Sequence, residues 1–437
     1  MTASDIQRTI DAVWRIEAPK LIARLARLVR DVGLAEELAQ DAFVAALEQW
    51  PKSGVPPNPG GWLMTTAKHR AIDTLRRNER LARKYGELAQ ELATQELQQP
   101  GQPPADFDAN LEEISDDLLR LVFTACHPVL SPEARVALTL RLLGGLTTAE
   151  IARAYLASES TVAQRIVRAK RTLTNKQIPF EIPQGPELGV RLASVLEVIY
   201  LIFNEGYSAT AGDDWMRPDL CEDAVRLARM LAGLMPKEPE VHGLVALLEI
   251  QASRTAARTN STGEAVLLLD QDRRRWDRLL IRRGLAALDR AEELGGQAGP
   301  YALQAAIAAS HARARTAEET DWTRIAALYW ALMLVAPSPV VELNRAVAVS
   351  RAVGPAAALE IVDALRDEPA LTDYHLLSSV RGDLLARLDR RDEARAEFER
   401  AAALTDNAPE QALLRLRAAE LAEPAGSHGQ RPQQRTR

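Results

Sequence analysis

Residues 34–84 constrain the fold of this chain more tightly than any other stretch, because their charge is sorted by sign onto two successive amphipathic segments. In the first, LAEELAQDAFVAALEQW, residues Leu34, Leu38, Ala42 and Ala45 recur at three- and four-residue steps, as do Phe43 and Leu47. That spacing predicts a helix with one apolar face. Glu36, Glu37, Gln40, Asp41 and Glu48 leave its opposite side acidic. The second, WLMTTAKHRAIDTLRRNERLARK, is expected to bury Trp62, Leu63, Ala67, Ala71, Ile72 and Leu75. It would present Lys68, Arg70, Arg76, Arg77, Arg80, Arg83 and Lys84 to solvent, against only Asp73 and Glu79. Between them, PKSGVPPNPGG carries Pro51, Pro56, Pro57, Pro59, Gly60 and Gly61 and is expected to be non-helical throughout. Two solvated helix faces would give the same pattern as two docking surfaces, so the pair alone does not assign a function.

The totals narrow the class. A chain of 437 residues implies two to four domains. With 47% apolar residues but only 5% aromatics, and abundant Ala, Leu, Arg and Glu, the expected fold class is all-α. No uncharged apolar stretch is long enough to span a membrane, and the N-terminus has no apolar signal core. Cys126 and Cys221, far apart and flanked by helical patterns, read as buried reduced thiols, so the expected location is cytoplasmic. There is no Gly-rich phosphate loop and no Cys/His ligand spacing, so neither catalysis nor a cofactor nor a metal is expected. The net charge of −6 divides into +1 over residues 1–180 and −7 over the remainder. Sorting, not the sum, carries the information.

Taken in order, residues 4–30 read as a helix stopped by Gly33. Residues 86–119 hold nine carboxylates and no Lys or Arg, around a stretch, QQPGQPPADFDAN, of linker composition. In the following helical unit, Ser131-Pro132-Glu133 starts one helix and Gly144-Gly145 ends it. Thr147 or Thr148 caps the short helix AEIARAYL, ASES turns, and STVAQRIVRAKRTL forms a last helix. Ile151, Ala152, Leu156, Val162, Ile166 and Ala169 are spaced to pack these two together, which is a helix-turn-helix pattern. Its second helix carries Arg165, Arg168, Lys170, Arg171 and Lys176 with no acid between residues 160 and 180. From residue 185 the chain is helical with Gly- and Pro-bearing breaks. Gly382, Leu385, Ala394, Phe398 and Ala401 match the packing positions of a tetratricopeptide repeat, and Ala357, Ile361 and Ala364 recur 37 residues earlier. The final AGSHGQRPQQRTR is expected to be disordered.

The ordered pair of basic helices, together with the phrases LIFNEGYSAT, QDRRRWDRLLI, GPYALQAAIAASHA, TDWTRIAALY and PSPVVELNRAVAVS, resembles the bacterial extracytoplasmic-function (ECF) sigma factors. These are promoter-reading subunits of RNA polymerase, and the phrases resemble a subgroup with a fused helical extension. The resemblance implies sigma region two over residues 1–85, an acidic linker over 86–115 and region four over 116–178. A tetratricopeptide-like extension over 179–425 and a tail over 426–437 complete the division. It implies that Glu37, Gln40, Asp41 and Phe43 dock on a coiled coil of the largest catalytic subunit of the polymerase core. Lys68, Arg70, Arg76 and Arg77 would then hold promoter phosphates at the minus-ten element, a salt-sensitive contribution. His69 and Asp73 either reach bases or pair locally, and Asn58 either lines a base pocket or is a turn residue. At the minus-thirty-five element Glu159, Ser160, Thr161, Gln164 and Arg165 would face base edges, where bidentate contacts discriminate by about 1–3 kcal/mol. Arg168, Lys170 and Arg171 would bind phosphate. Ala157 stands where such turns commonly place Gly, which predicts a left-handed residue strained by about 1–2 kcal/mol. The extension is expected to regulate in cis, with Asn204, Glu205, Asp272, Arg273, Trp276, Asp277, His311, Asp321, Trp322 and Asn344 lining a groove or tying helices together. A stand-alone helix-turn-helix regulator with a helical sensor domain, or a helical-repeat scaffold, would share the basic helices but has no need of an acidic docking segment ahead of them.

Overall fold

The computed structural model describes residues 3–90, 111–155, 157–208, 211–212, 216–260 and 265–422. Over these the fold is all-α. The chain forms two compact units, Met1–Leu201 and Ile202–Arg437.

In the first unit α1 (Ala3–Val29) is central, packed by α2 (Val32–Ser53), α3 (Pro59–Gln90) and α4 (Leu111–Ala125). Ile10, Leu21, Ile22 and Leu25 of α1 meet Leu38, Ala42 and Trp50 of α2 and Leu63 and Ala67 of α3, all essentially excluded from solvent. Each fully buried aliphatic side chain of this kind contributes about 1.5–3 kcal/mol. Next come α5 (Pro132–Thr139), a π-helical segment (Leu140–Gly144), α6 (Thr148–Ala154) and α7 (Glu159–Asn175). Ser131 caps α5, and Thr147 resolves the alternative at α6 through a reciprocal capping box with Glu150. Burial opposes ionisation of Glu150, but the Thr147 N–H and hydroxyl together with Arg15 hold its carboxyl below the ordinary range.

Several expectations are corrected. The Pro- and Gly-rich stretch is mostly helical: α2 runs through Pro51 to Ser53, and α3 already begins at Pro59. Pro51 falls in the last turn, where it forfeits one backbone hydrogen bond and only Lys52 and Ser53 follow it in the helix, and Trp50 beside it is anchored edge-on to Trp62 at 5.4 Å. Pro59 opens α3, where a missing N–H costs nothing, while Asn58 acts as a turn residue, accepting the Gly61 N–H at 2.9 Å. Gly33 does not stop α1; it lies in the first turn of α2, which Asp31 caps through the Leu34 N–H at 2.8 Å. Ala157 is not left-handed: among the described residues only Arg30, Gln177 and Asp389 are non-glycine residues with positive φ. The Ala157 N–H instead closes on the Ala152 carbonyl at 2.9 Å, so the turn carries no such strain.

α8 (Pro186–Tyr207) crosses the division between the units, later in the chain than residue 179. Its first half belongs with the N-terminal unit because Arg191 donates to the Phe123 carbonyl at 2.8 Å and Arg135 of α5 reaches Glu197 at 2.9 Å. Cys126 and Cys221 are free and buried, and burial pushes their thiols up to about 11 and about 12. Most of the expected linker and the whole expected tail lie outside the described residues.

The second unit runs through α9 (Pro218–Leu234), α10 (Pro239–Ala252), α11 (Arg278–Glu293), α12 (Pro300–Arg313), α13 (Trp322–Val335) and α14 (Pro339–Ala352). It ends with α15 (Pro355–Ala364), α16 (His375–Arg387), α17 (Arg391–Leu404) and α18 (Ala408–Ala422). Of the breaks, Pro239, Pro300 and Pro339 are helix starts, in the first turns of α10, α12 and α14, and Pro218 and Pro355 open α9 and α15 in the same way. Consecutive helices pack as neighbours from α12 to α18. Gly382 matters here because a Cβ would stand 2.9 Å from the Phe398 ring. The upstream repeat is out of register by one residue: α15 buries Ala358, Leu359 and Val362, not Ala357, Ile361 and Ala364. A two-residue parallel bridge pairs Ala211 with Asp406 and Gly212 with Asn407.

Candidate nucleic-acid and polymerase interface

On α2 the helical period puts Glu37, Asp41, Val44 and Glu48 on one exposed stripe. Val44 is 50% exposed at its centre, an apolar residue within an acidic band that the sequence reading passed over. The other two docking candidates are engaged internally. Gln40 donates to Glu36 Oε1 at 2.5 Å, and Phe43 packs on Trp14 with ring centres 4.5 Å apart.

On α3, His69, Asp73 and Arg76 form an exposed stripe at steps of four and three residues. Lys68 and Arg70 are half-buried at its flank. Arg70 reaches Asp41 at 3.5 Å, so one expected DNA contact is paired with one expected polymerase contact. Such an exposed pair is worth at most about 1 kcal/mol and yields readily to a stronger partner. The side chain of Arg77 lies outside the described residues.

On α7, Val162, Ile166, Ala169 and Leu173 form the buried face, as the spacing predicts. Ser160, Thr161, Gln164, Arg168 and Arg171 are exposed and Arg165 is half-buried. Ser158 caps the helix through the Thr161 N–H at 3.1 Å, and its hydroxyl also meets those of Ser160 and Thr161 at 2.9 and 2.8 Å. Lys170 differs from its neighbours. Its ammonium is tied to Glu36 of α2.

Glu36, placed by periodicity on the solvated acidic face, is 2% exposed. The physical reason is a partner 105 residues away: Arg141 Nε donates to Glu36 Oε1 at 2.6 Å, and Lys170 neutralises the other oxygen. Arg141 also holds the Leu146 carbonyl at 3.1 Å. Further ties join the same two halves of the N-terminal unit. Thr174 donates to Asp31 at 2.9 Å, and Arg15 reaches Glu150 at 3.0 Å. Arg27 lies 3.4 Å from the fully buried Asp117, whose carboxyl burial raises against the pull of Arg27 and Arg120. The α1–α3 helices and the α4–α7 helices are thereby latched together, with Lys170 and Thr174 of α7 on that seam.

Among the described residues no group of His, Cys, Asp and Glu is placed to hold a metal, and no helix is long and apolar enough to cross a membrane.

Comparison with known proteins maps onto this division. Residues 14–81 match the family model for sigma-70 region 2, residues 120–173 that for sigma-70 region 4, and residues 191–292 a family of unknown function, DUF6596. An uncharacterized protein of Rhizobium meliloti (strain 1021) is 45% identical over 95% of this chain and 97% of its own length. The ECF RNA polymerase sigma factor SigK of Mycobacterium tuberculosis (strain ATCC 25618 / H37Rv) is 31% identical over 34% of this chain and 75% of that protein. SigK of Mycobacterium sp. (strain KMS) is 28% identical over 39% of this chain and 84% of its own length.

Proposed function

Because the chain belongs to the ECF sigma factors of the sigma-70 family and so directs RNA polymerase to promoters, we propose a division of labour among its exposed faces. The α2 stripe of Glu37, Asp41, Val44 and Glu48 docks on a basic coiled coil of the largest polymerase subunit, with Val44 as the apolar centre that excludes water. The α3 stripe of His69, Asp73 and Arg76, flanked by Lys68 and Arg70, meets the minus-ten element. Arg77 extends it. The α7 residues Ser160, Thr161, Gln164 and Arg165 face bases of the minus-thirty-five element, while Arg168 and Arg171 grip phosphate.

The observation that carries this reading is the exposed acidic band on the helix immediately before the basic one. A regulator acting on duplex DNA alone has no use for it. Lys170 joins the phosphate contacts only once Glu36 releases it, so the latched state is a resting form and polymerase binding beside Glu36 favours its opening.

The extension acts in cis on this cycle. Support comes from the full-length likeness to the Rhizobium protein, in which the sigma regions and the extension stay on one chain, and from the extension's net negative charge. Two free buried thiols support a reducing compartment, and the working location proposed is the cytoplasm.

Transcription in vitro with core polymerase and a promoter library tests the assignment. The full chain should yield specific transcripts, and Val44→Asp should weaken core association about tenfold while leaving the fold intact. A chain ending after Tyr207, which keeps α8 whole, should give altered output. Unaltered output from that chain would remove the cis role, and loss of transcripts unaccompanied by any loss of core binding in Val44→Asp would remove the docking assignment.

A further inference from the structure

In the second unit the buried Arg381 is paired with Asp363 and Glu397 and the buried Glu249 with Arg229, but two other buried arginines have no carboxylate bound to them among the described residues. Arg254, just beyond α10, is 9% exposed. Its Nη2 donates to the Gln251 side chain, and its guanidinium carbon lies 5.8 Å from the ring centres of both Tyr207 and Trp276. Its Nε is buried with no acceptor, and among the described residues no carboxylate pairs with it.

Arg273, 7% exposed, stands 4.9 Å over the Trp276 ring. It donates to the carbonyls of His311 at 2.6 Å and Ala314 at 2.8 Å and to the Thr320 hydroxyl at 3.1 Å. The exposed Glu318 and Glu319 act on it only coulombically. Arg258 covers the face of Tyr207 at 3.6 Å.

The indole Nε1 of Trp276, a residue 3% exposed, and Nδ1 of His311, 7% exposed, are also buried without a hydrogen-bond partner, as are the acceptors Glu249 Oε2 and Gln271 Oε1 elsewhere in the unit. Burial, then Arg254 and Arg273, push His311 down to about 3, so its ring is neutral at pH 7 and free to donate one hydrogen bond.

Stacking on aromatic rings accounts for Arg258 and for part of Arg273. It does not account for the Arg254 Nε or the Trp276 N–H, both dry and unused. Buried donors are almost always satisfied, and buried charge is almost always paired. Three unused nitrogens beside two guanidinium groups therefore describe a site made for a negatively charged acceptor. The net positive charge favours a dianion, since a single carboxylate would leave one guanidinium unmatched.

We propose that Arg254, Arg273, Trp276 and His311 form a binding site in the extension for a phosphate group, free or carried on a small molecule. The site stands independently of whether the extension controls transcription.

Thermal unfolding of the full-length chain tests it, in buffers matched for ionic strength and containing chloride, acetate, inorganic phosphate or glycerol phosphate. Phosphate binding to the folded state raises the melting midpoint saturably, and the indole emission of Trp276 should shift along the same curve. A rise with both phosphate probes identifies free phosphate as sufficient. A rise with glycerol phosphate alone assigns the group to an organic molecule. Arg254→Met should erase the response. Trp276→Phe keeps a smaller aromatic ring under the arginines while removing the N–H donor, so it should weaken apparent affinity about tenfold even where Arg254→Met does not fold. No saturable rise with either phosphate probe over chloride, an equal rise with acetate, or a response unchanged in both variants would overturn the proposal.

Discussion

Buried charge is handled in opposite ways at Glu36 of the first unit and Arg254 of the second. At Glu36 a carboxylate shut away from water receives Arg141, Lys170 and Gln40, so the cluster is complete and holds two sets of helices together. At Arg254 a guanidinium likewise shut away has aromatic rings and a glutamine but, among the described residues, no acid. The first arrangement is a clasp that loses by being opened. The second loses by standing empty.

Substitutions at the two centres should therefore differ in sign. Glu36→Ala leaves two half-buried cations without their shared counter-ion and should cost the N-terminal unit up to about 3 kcal/mol in denaturant unfolding. Arg254→Met, of similar volume and uncharged, should be neutral or stabilising by as much as about 1–4 kcal/mol in chloride buffer. Destabilisation of similar size at both positions would break the contrast.

Acid sharpens it next. His311 and His127 are depressed by burial to about 3 and about 4, from an ordinary value of 6.5. A histidine with a lowered folded-state value binds its proton more readily when unfolded. Each thus contributes stability that is fully present above pH 6.5 and lost as pH falls through 6.5 toward the folded value. For His311 the slope is at most about 1.4 kcal/mol per pH unit. Half-buried His127 should give a shallower loss. His311→Phe should flatten the acid limb of the second unit alone, which unfolding from pH 7 to 4 can measure.

Smaller effects lie at the surface. Val44→Asp should lower polymerase core affinity about tenfold, equivalent to about 1.4 kcal/mol, with folding stability changed by no more than about 0.5 kcal/mol. The Arg15–Glu150 pair, with its arginine more than half exposed, should report the smallest change. Arg15→Ala should cost below about 1 kcal/mol, and less in high salt.

Local rules made much of this architecture readable. Periodicity placed the apolar faces of α2 and α7, Ser131 and Thr147 announced their helices, and the composition pointed to an all-α chain. The misreadings share a cause, which is that the deciding partner is distant in sequence. Glu36 looks like one more surface acid until Arg141 and Lys170 arrive from the other half of the unit, and Lys170 looks like one more phosphate contact for the same reason. Pro51 breaks a helix in isolation, but the Trp50–Trp62 contact holds it in one. In the extension, Arg273, Trp276 and His311 stood out as polar residues beside aromatics. Arg254 did not, because nothing in QASRTAART distinguishes a buried arginine from a solvated one.

The π-helical segment Leu140–Gly144 amounts to one extra residue wound into an α-helix, with the Gly145 N–H closing on the Leu140 carbonyl. Arg141, its second residue, is the one that reaches Glu36. Deleting a single residue there would restore the ordinary pitch and swing whatever follows by about 100° around the axis. The grip between the two halves would then fail with every ionisable group still in the chain, so its key is a matter of winding as much as of charge.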